Sequence, residues 1–274
     1  MKKIVMALLE ESFPEDAFQF VQELHGRAPV QLTAAFVAES PIVTAWAVTG
    51  MPPDPLWLSP VAEADPDAYA QTKQLLGERC AAHGIPVQVH GRSPHGDIAQ
   101  LRKESRFCDL LVVSHGLFFD ASFSGIEWDH FASTVQELEC PVVVVPAGFR
   151  FPQQNIIAYD GSASSVFALR QFYSVLPELS ANPTFLVYGN DADDREVPDL
   201  ALLEELARPH FPQLSITKLP GDPKTAILGR VGREEQPILV LGALGHRGLS
   251  RIFHRSFSYR HLLDQKVPVF IAHT

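Results

Sequence analysis

The chain repeats its own pattern. Residues 3–8 open one half with a short apolar run, and residues 155–159 open the other in the same way. Each run precedes residues with helical spacing, 14–24 in the first half and 163–176 in the second. A second apolar run follows at residues 31–37 and at 184–188, and a later one at 109–113 and at 238–241. Each half closes on a proline-led run, Pro141-Val-Val-Val-Val145 and Pro268-Val-Phe-Ile-Ala272. Short apolar runs that alternate with helices of ten or more residues predict βαβ units and a mostly parallel sheet. The closing runs are apolar at every position, as strands covered on both faces are. Proline, glycine and polar residues gather at 146–154, which reads as a linker. The expected domains are therefore residues 1–147 and residues 154–274.

Length and charge narrow the class. A chain of 274 residues is long enough for two cores. Its hydrophobic share of 46% and charged share of 20% are those of a soluble globular protein. The formal net charge is −10 with no Lys/Arg block, which argues against nucleic acid as a partner. The opening Met1-Lys-Lys-Ile-Val-Met-Ala-Leu-Leu is short and is followed by Glu10, Glu11, Glu15 and Asp16, so it reads as a first strand rather than a signal peptide. No run approaches a membrane span. Cys80, Cys108 and Cys140 are scattered in sequence, which fits buried thiols in a reducing cytoplasm. The expected localisation is cytoplasmic.

One loop carries chemistry. Gly242-Ala-Leu-Gly245 follows the strand 238–241, and further on Arg255-Ser256-Phe257 leads into a helical pattern. A strand, a glycine-bearing loop and a serine at a helix start present free backbone N–H groups and the positive end of a helix dipole to an anion. Arg255 stands where such a loop prefers glycine, because a side chain limits close approach.

Taken together, these features resemble the universal stress protein family in its tandem two-domain form. The resemblance covers nearly the whole chain. The family's nucleotide motif is Gly, two residues, Gly, nine residues, Gly, then Ser or Thr. Gly242, Gly245 and Ser256 match it, and Arg255 replaces the third glycine. Gly248-Leu-Ser-Arg251, Tyr159-Asp160-Gly-Ser162 and Gly221-Asp222-Pro223 are also similar to family segments. The resemblance implies two tandem doubly wound α/β domains, each a five-stranded parallel sheet in the order 3-2-1-4-5, Rossmann- or HUP-like, packed with pseudo-twofold symmetry. Ligands of such sheets bind where the strand order reverses, at the C-terminal ends of strands 1 and 4. Asp160 ends strand 1 and Gly242 ends strand 4. The resemblance places Asp160 and Tyr188 at an adenine and ribose end, and Gly242, Gly245 and Ser256, with neighbouring Arg255 and Phe257, at the phosphates. ATP, ADP or AMP is the implied ligand, with magnesium only as the nucleotide's companion.

The first half departs from the motif. Leu9 occupies the position of Asp160, and the loop after strand 4 puts Leu117, Phe118 and Phe119 directly behind Gly116. Side chains of that bulk crowd a phosphate, so this half reads as degenerate. Other readings stay open at several residues. Gly242 and Gly245 also suit a plain tight turn. Asp160 also suits the role of helix cap. Arg255 either blocks a phosphate or pairs with one. Trp46, Met51, Trp57 and Leu58, in the long segment 38–65, either pack over the sheet or form an interaction surface. His246, His254, His261 and His273 lack metal-site spacing, so no metal site is expected. There is no Gly-x-Ser-x-Gly elbow and no Walker lysine, which leaves at most slow, incidental ATP hydrolysis. Two functions remain: a nucleotide-binding stress sensor, or a scaffold with a vestigial site whose contacts are with protein partners. An intramolecular pseudo-dimer through the two proline-led strands is expected, and a homodimer is compatible with it.

Overall fold

The computed structural model describes residues 1–9, 12–37, 66–90, 98–117, 134–190, 196–242 and 266–272. The chain divides into two compact units, Met1–Cys140 and Pro141–Thr274. Both are α/β.

In the first unit the elements run β1 (Lys2–Leu8), α1 (Glu15–His25), β2 (Val30–Phe36), α2 (Pro66–His83), β3 (Val87–His90), α3 (Ile98–Ser105) and β4 (Leu110–Ser114). The strands lie in the order β3-β2-β1-β4. All three pairings are parallel, with Ile4 opposite both Leu32 and Leu110 and with Leu32 opposite Val87. β1 is therefore the strand where the order reverses. Its residues Ile4 to Leu8 are fully buried because helices cover both faces. α1 buries Ala17, Phe18, Phe20, Val21 and Leu24, one stripe at helical spacing, and carries Glu15 and Asp16 in its first turn, which suits the helix dipole. The segment 38–65, with Trp46, Met51, Trp57 and Leu58, lies outside the described residues.

The second unit begins with β5 (Val142–Val145), then β6 (Gln154–Tyr159), α4 (Ala163–Val175), α5 (Pro177–Ser180) and β7 (Thr184–Asn190). It continues through α6 (Leu200–Ala207), β8 (Leu214–Pro220), α7 (Pro223–Val231), β9 (Pro237–Gly242) and β10 (Val269–Ala272). Strands β8-β7-β6-β9-β10 are parallel, which is the order 3-2-1-4-5 counted from β6. β5 then pairs antiparallel with β10, placing Val142 opposite Ile271, Val143 opposite Phe270 and Val144 opposite Val269. The two proline-led strands thus satisfy each other's backbone groups, as an uncovered apolar edge requires. Because this unit starts at Pro141, β5, the strand that closes the first half of the repeat, belongs to the second unit.

Beneath α4 the core is aromatic. The Phe172 ring meets Phe270 edge-on at 5.2 Å and stacks parallel to Phe211 at 6.4 Å. Such pairs are each worth about 0.5–1.5 kcal/mol beyond the area they bury. One polar group is built into this core. Asn155 is fully buried. Its Nδ2 donates to the Leu179 carbonyl at 2.8 Å and to Thr184 Oγ1 at 2.9 Å, tying β6 to the end of α5 and to β7.

Candidate functional site

The second unit reverses its strand order between β6 and β9, and the turn after β6 and the last residue of β9 both meet the start of α4. Asp160 follows β6 directly. Its Oδ1 accepts the Ser162 N–H at 2.9 Å. The N-cap of α4 is Ser162, whose Oγ accepts the Ser165 N–H at 3.2 Å. Asp160 therefore shapes the turn into the helix, and the capping expected of Asp160 is performed by Ser162. Between them Gly161 takes φ +80°, a conformation that side chains avoid, and a Cβ there would stand 3.0 Å from Pro198.

Gly242, the last residue of β9, faces the first turn of α4. A Cβ at this position would lie 2.6 Å from the carbonyl carbon and oxygen of Ser164 and 2.7 Å from the Ser165 nitrogen. Those atoms are helix backbone and do not rotate away. The glycine lets α4 dock on the strand end, whatever else it does. Gly189 in β7 repeats the device against the start of α7, where a Cβ would come within 2.6 Å of Pro223 Cα. That helix is capped by Asp222, whose Oδ2 accepts from Thr225 N and from Thr225 Oγ1, both at 2.9 Å, with Pro223 at its first position.

Tyr188, near the end of β7, stands opposite Tyr159 in the sheet register. Both are buried, with ring centroids 6.4 Å apart. The Tyr159 hydroxyl donates to the Pro198 carbonyl at 2.9 Å, so residues 198–199 lie against this end of the sheet. Burial, and then the carboxylates of Asp199 and Asp160, push the Tyr159 phenol above its ordinary value. Negative charge collects here. It repels phosphate and suits donor groups such as sugar hydroxyls or an exocyclic amine. An open groove of about 450 Å³ runs along the first turns of α4, lined by Ser162, Val166, Phe167, Arg170 and Asp199 among others. That volume lies within the span of small-molecule sites, roughly 300–1,000 Å³. Pro198, Asp199 and Arg170 carry no signal in the sequence, since only folding brings them beside Gly161. Of the sequence-derived site residues, Asp160, Tyr188 and Gly242 are placed as above. Gly245, Arg255, Ser256 and Phe257 lie outside the described residues.

The equivalent crevice of the first unit is acidic too. It is a cavity of about 190 Å³ between the ends of β1 and β4 and the start of α1, lined by Leu9, Phe13, Glu15, Asp16, Ser114 and Leu117 among others. A cavity below about 300 Å³ is small for a nucleotide, and its two carboxylates oppose phosphate. Leu9 follows β1 as Asp160 follows β6. After β4, residues His115–Leu117 form a 3₁₀ turn. Burial pushes the His115 imidazole down to about 4. The described residues hold no group of three or more His, Cys, Asp or Glu suited to a metal ion. No helix among them is long and apolar enough to cross a membrane.

No protein-family model matches the sequence, and no curated protein matches it. Among solved structures, the chain is similar to a universal stress protein from Archaeoglobus fulgidus DSM 4304. The TM-score is 0.64 at 15% identity, and the match covers 99% of this chain and 96% of that one. At that identity the likeness shows the fold: this chain has the fold of a universal stress protein.

Proposed function

We propose that the chain is a stress-response protein whose second unit binds an adenine nucleotide, ATP, ADP or AMP, at the crevice between β6 and β9, and that it acts as a sensor toward protein partners rather than as a catalyst. The observation that carries this reading is the contrast between the two crevices. The second has Asp160 at the switch strand and a donor-seeking acidic end. The first has Leu9 and a small acidic cavity. Asp160 and its neighbours would take the ribose and adenine. The loop beginning at Gly242, with Gly245, Ser256 and Phe257, would take the phosphates, where Arg255 sets the preferred chain length. Replacing Arg255 with glycine should then raise affinity for ATP relative to AMP.

A scaffold with a vestigial site is the second reading, and one observation favours it. The close approach of Ser164 accounts for Gly242 without any ligand.

Calorimetry and thermal denaturation of the full chain with ATP, ADP and AMP, each with and without magnesium, separate the two. A ligand held by the native state alone raises its stability by about 2.7 kcal/mol at a hundredfold excess over Kd. Asp160→Ala should weaken binding by about tenfold, the scale of one hydrogen bond to a charged group. Absence of a shift with all three nucleotides at millimolar concentration would leave the scaffold reading standing.

A further inference from the structure

Cys108 and Cys140 are 32 residues apart in sequence, yet their sulfurs are 3.4 Å apart. Both belong to the first unit. Cys108 lies in the turn between α3 and β4, and Cys140 directly precedes the proline that leads into β5. Neighbouring contacts hold the two segments together independently of the sulfurs. Ser105 Oγ accepts the Glu139 N–H at 2.9 Å, and Arg106 Nε meets Glu139 Oε1 at 2.7 Å. Arg102 also reaches Glu137, at 3.6 Å. The residues just before each cysteine are thus tied across the same gap, and the sulfurs face each other in a prearranged contact.

From this geometry we propose that Cys108 and Cys140 form a reversible oxidant-sensitive dithiol, a modification site that closes to an intramolecular disulfide on exposure to hydroperoxide. Passing from the observed contact to a covalent bond of about 2.05 Å needs a sulfur displacement that side-chain rotation supplies. The two sulfurs have different roles. Cys108 is partly exposed, whereas Cys140 is buried. The Cys140 thiol donating to the Cys108 sulfur holds the Cys108 thiol below its ordinary value against the opposing effect of burial. The same contact, reinforced by burial, raises the Cys140 thiol. Cys108 is therefore the attacking thiolate and Cys140 the resolving thiol.

The chemistry balances. The Cys108 thiolate attacks one peroxide oxygen, the O–O bond breaks, and hydroxide leaves to take up a proton as water. Cys108 is then a sulfenic acid. The Cys140 sulfur attacks Cys108 Sγ, the S–O bond breaks, and the oxygen departs as a second water carrying the Cys140 proton. The two thiols lose two electrons and the peroxide gains them. Cys80 is the internal control. It is buried in α2, and its burial pushes the thiol up to about 11, so it should not react in the folded chain.

The test uses the full chain, reduced and then treated with hydrogen peroxide, followed by alkylation under denaturing conditions and peptide mapping without reductant. The expected result is a fall from three free thiols to one, Cys80, with a linked Cys108–Cys140 peptide that dithiothreitol releases. In Cys140→Ser, dimedone should label Cys108. In Cys108→Ser, Cys140 should remain an unmodified thiol. Three free thiols after peroxide treatment would overturn the proposal. Links between chains in place of the internal one would do so too, as would dimedone labelling of Cys140 rather than Cys108. The mapping of the unmutated chain decides the matter even if a variant fails to fold.

Discussion

Replacing Gly242 with alanine separates packing from phosphate binding at the residue where the two readings compete. The added Cβ would sit 2.6 Å from two backbone atoms of Ser164 and 2.7 Å from a third atom, Ser165 N. Ordinary contacts between such atoms are roughly 3.5–4.0 Å, so α4 must withdraw from β9 by about 1 Å. The helix carries Ala168, Leu169 and Phe172, all buried, so its displacement loosens the aromatic core as well. Overpacking of this kind costs about 1–3 kcal/mol. With a urea slope of about 2 kcal/mol/M for a domain of this size, the unfolding midpoint of the second unit should fall by roughly 0.5–1.5 M. Gly229→Ala supplies the control. Gly229 lies inside α7 with nothing within 4 Å of an added Cβ, and alanine there should stabilise by about 0.5–1 kcal/mol. Chemical denaturation followed by tryptophan-independent circular dichroism reads both variants. If Gly242→Ala unfolds at the unchanged midpoint, the docking argument is wrong. If it also loses affinity for nucleotide at that midpoint, the glycine serves the ligand.

Two further outcomes follow from buried polar groups. Asn155→Ala removes both donor bonds and leaves the Leu179 carbonyl without this partner in a closed core. It should cost about 2–4 kcal/mol by equilibrium unfolding, and a loss under 1 kcal/mol would show that the pair of bonds contributes little. His115 has its pKa depressed to about 4 from an ordinary 6.5, so the unfolded chain binds the proton more readily. Stability is then fully present above about pH 6.5 and falls as the pH drops toward about 4. His115→Gln should flatten the stability curve across that window, and an unchanged slope would assign the loss to other groups.

Much of this architecture is legible along the chain because its causes are local. The apolar runs at 3–8 and 155–159 must be covered on both faces, so they become central strands β1 and β6. Gly221-Asp222-Pro223 caps a helix through bonds that span three residues, so the start of α7 can be read directly. The proline-led runs are too apolar to remain uncovered, and their mutual pairing follows. What only folding decided rests on contacts between distant residues. Asp160 read as a cap candidate, but backbone geometry gave Ser162 the N-cap and Asp160 the turn before it. Gly242 looked like a loop glycine, but its neighbour is the carbonyl of Ser164, 78 positions earlier in the chain. Cys108 and Cys140 looked scattered, because no local pattern records that α3 and the segment before β5 are tied through Arg106 and Glu139. Hydrophobic periodicity specifies which face of each element is buried, while the partner each face meets is set by chain closure over tens of residues.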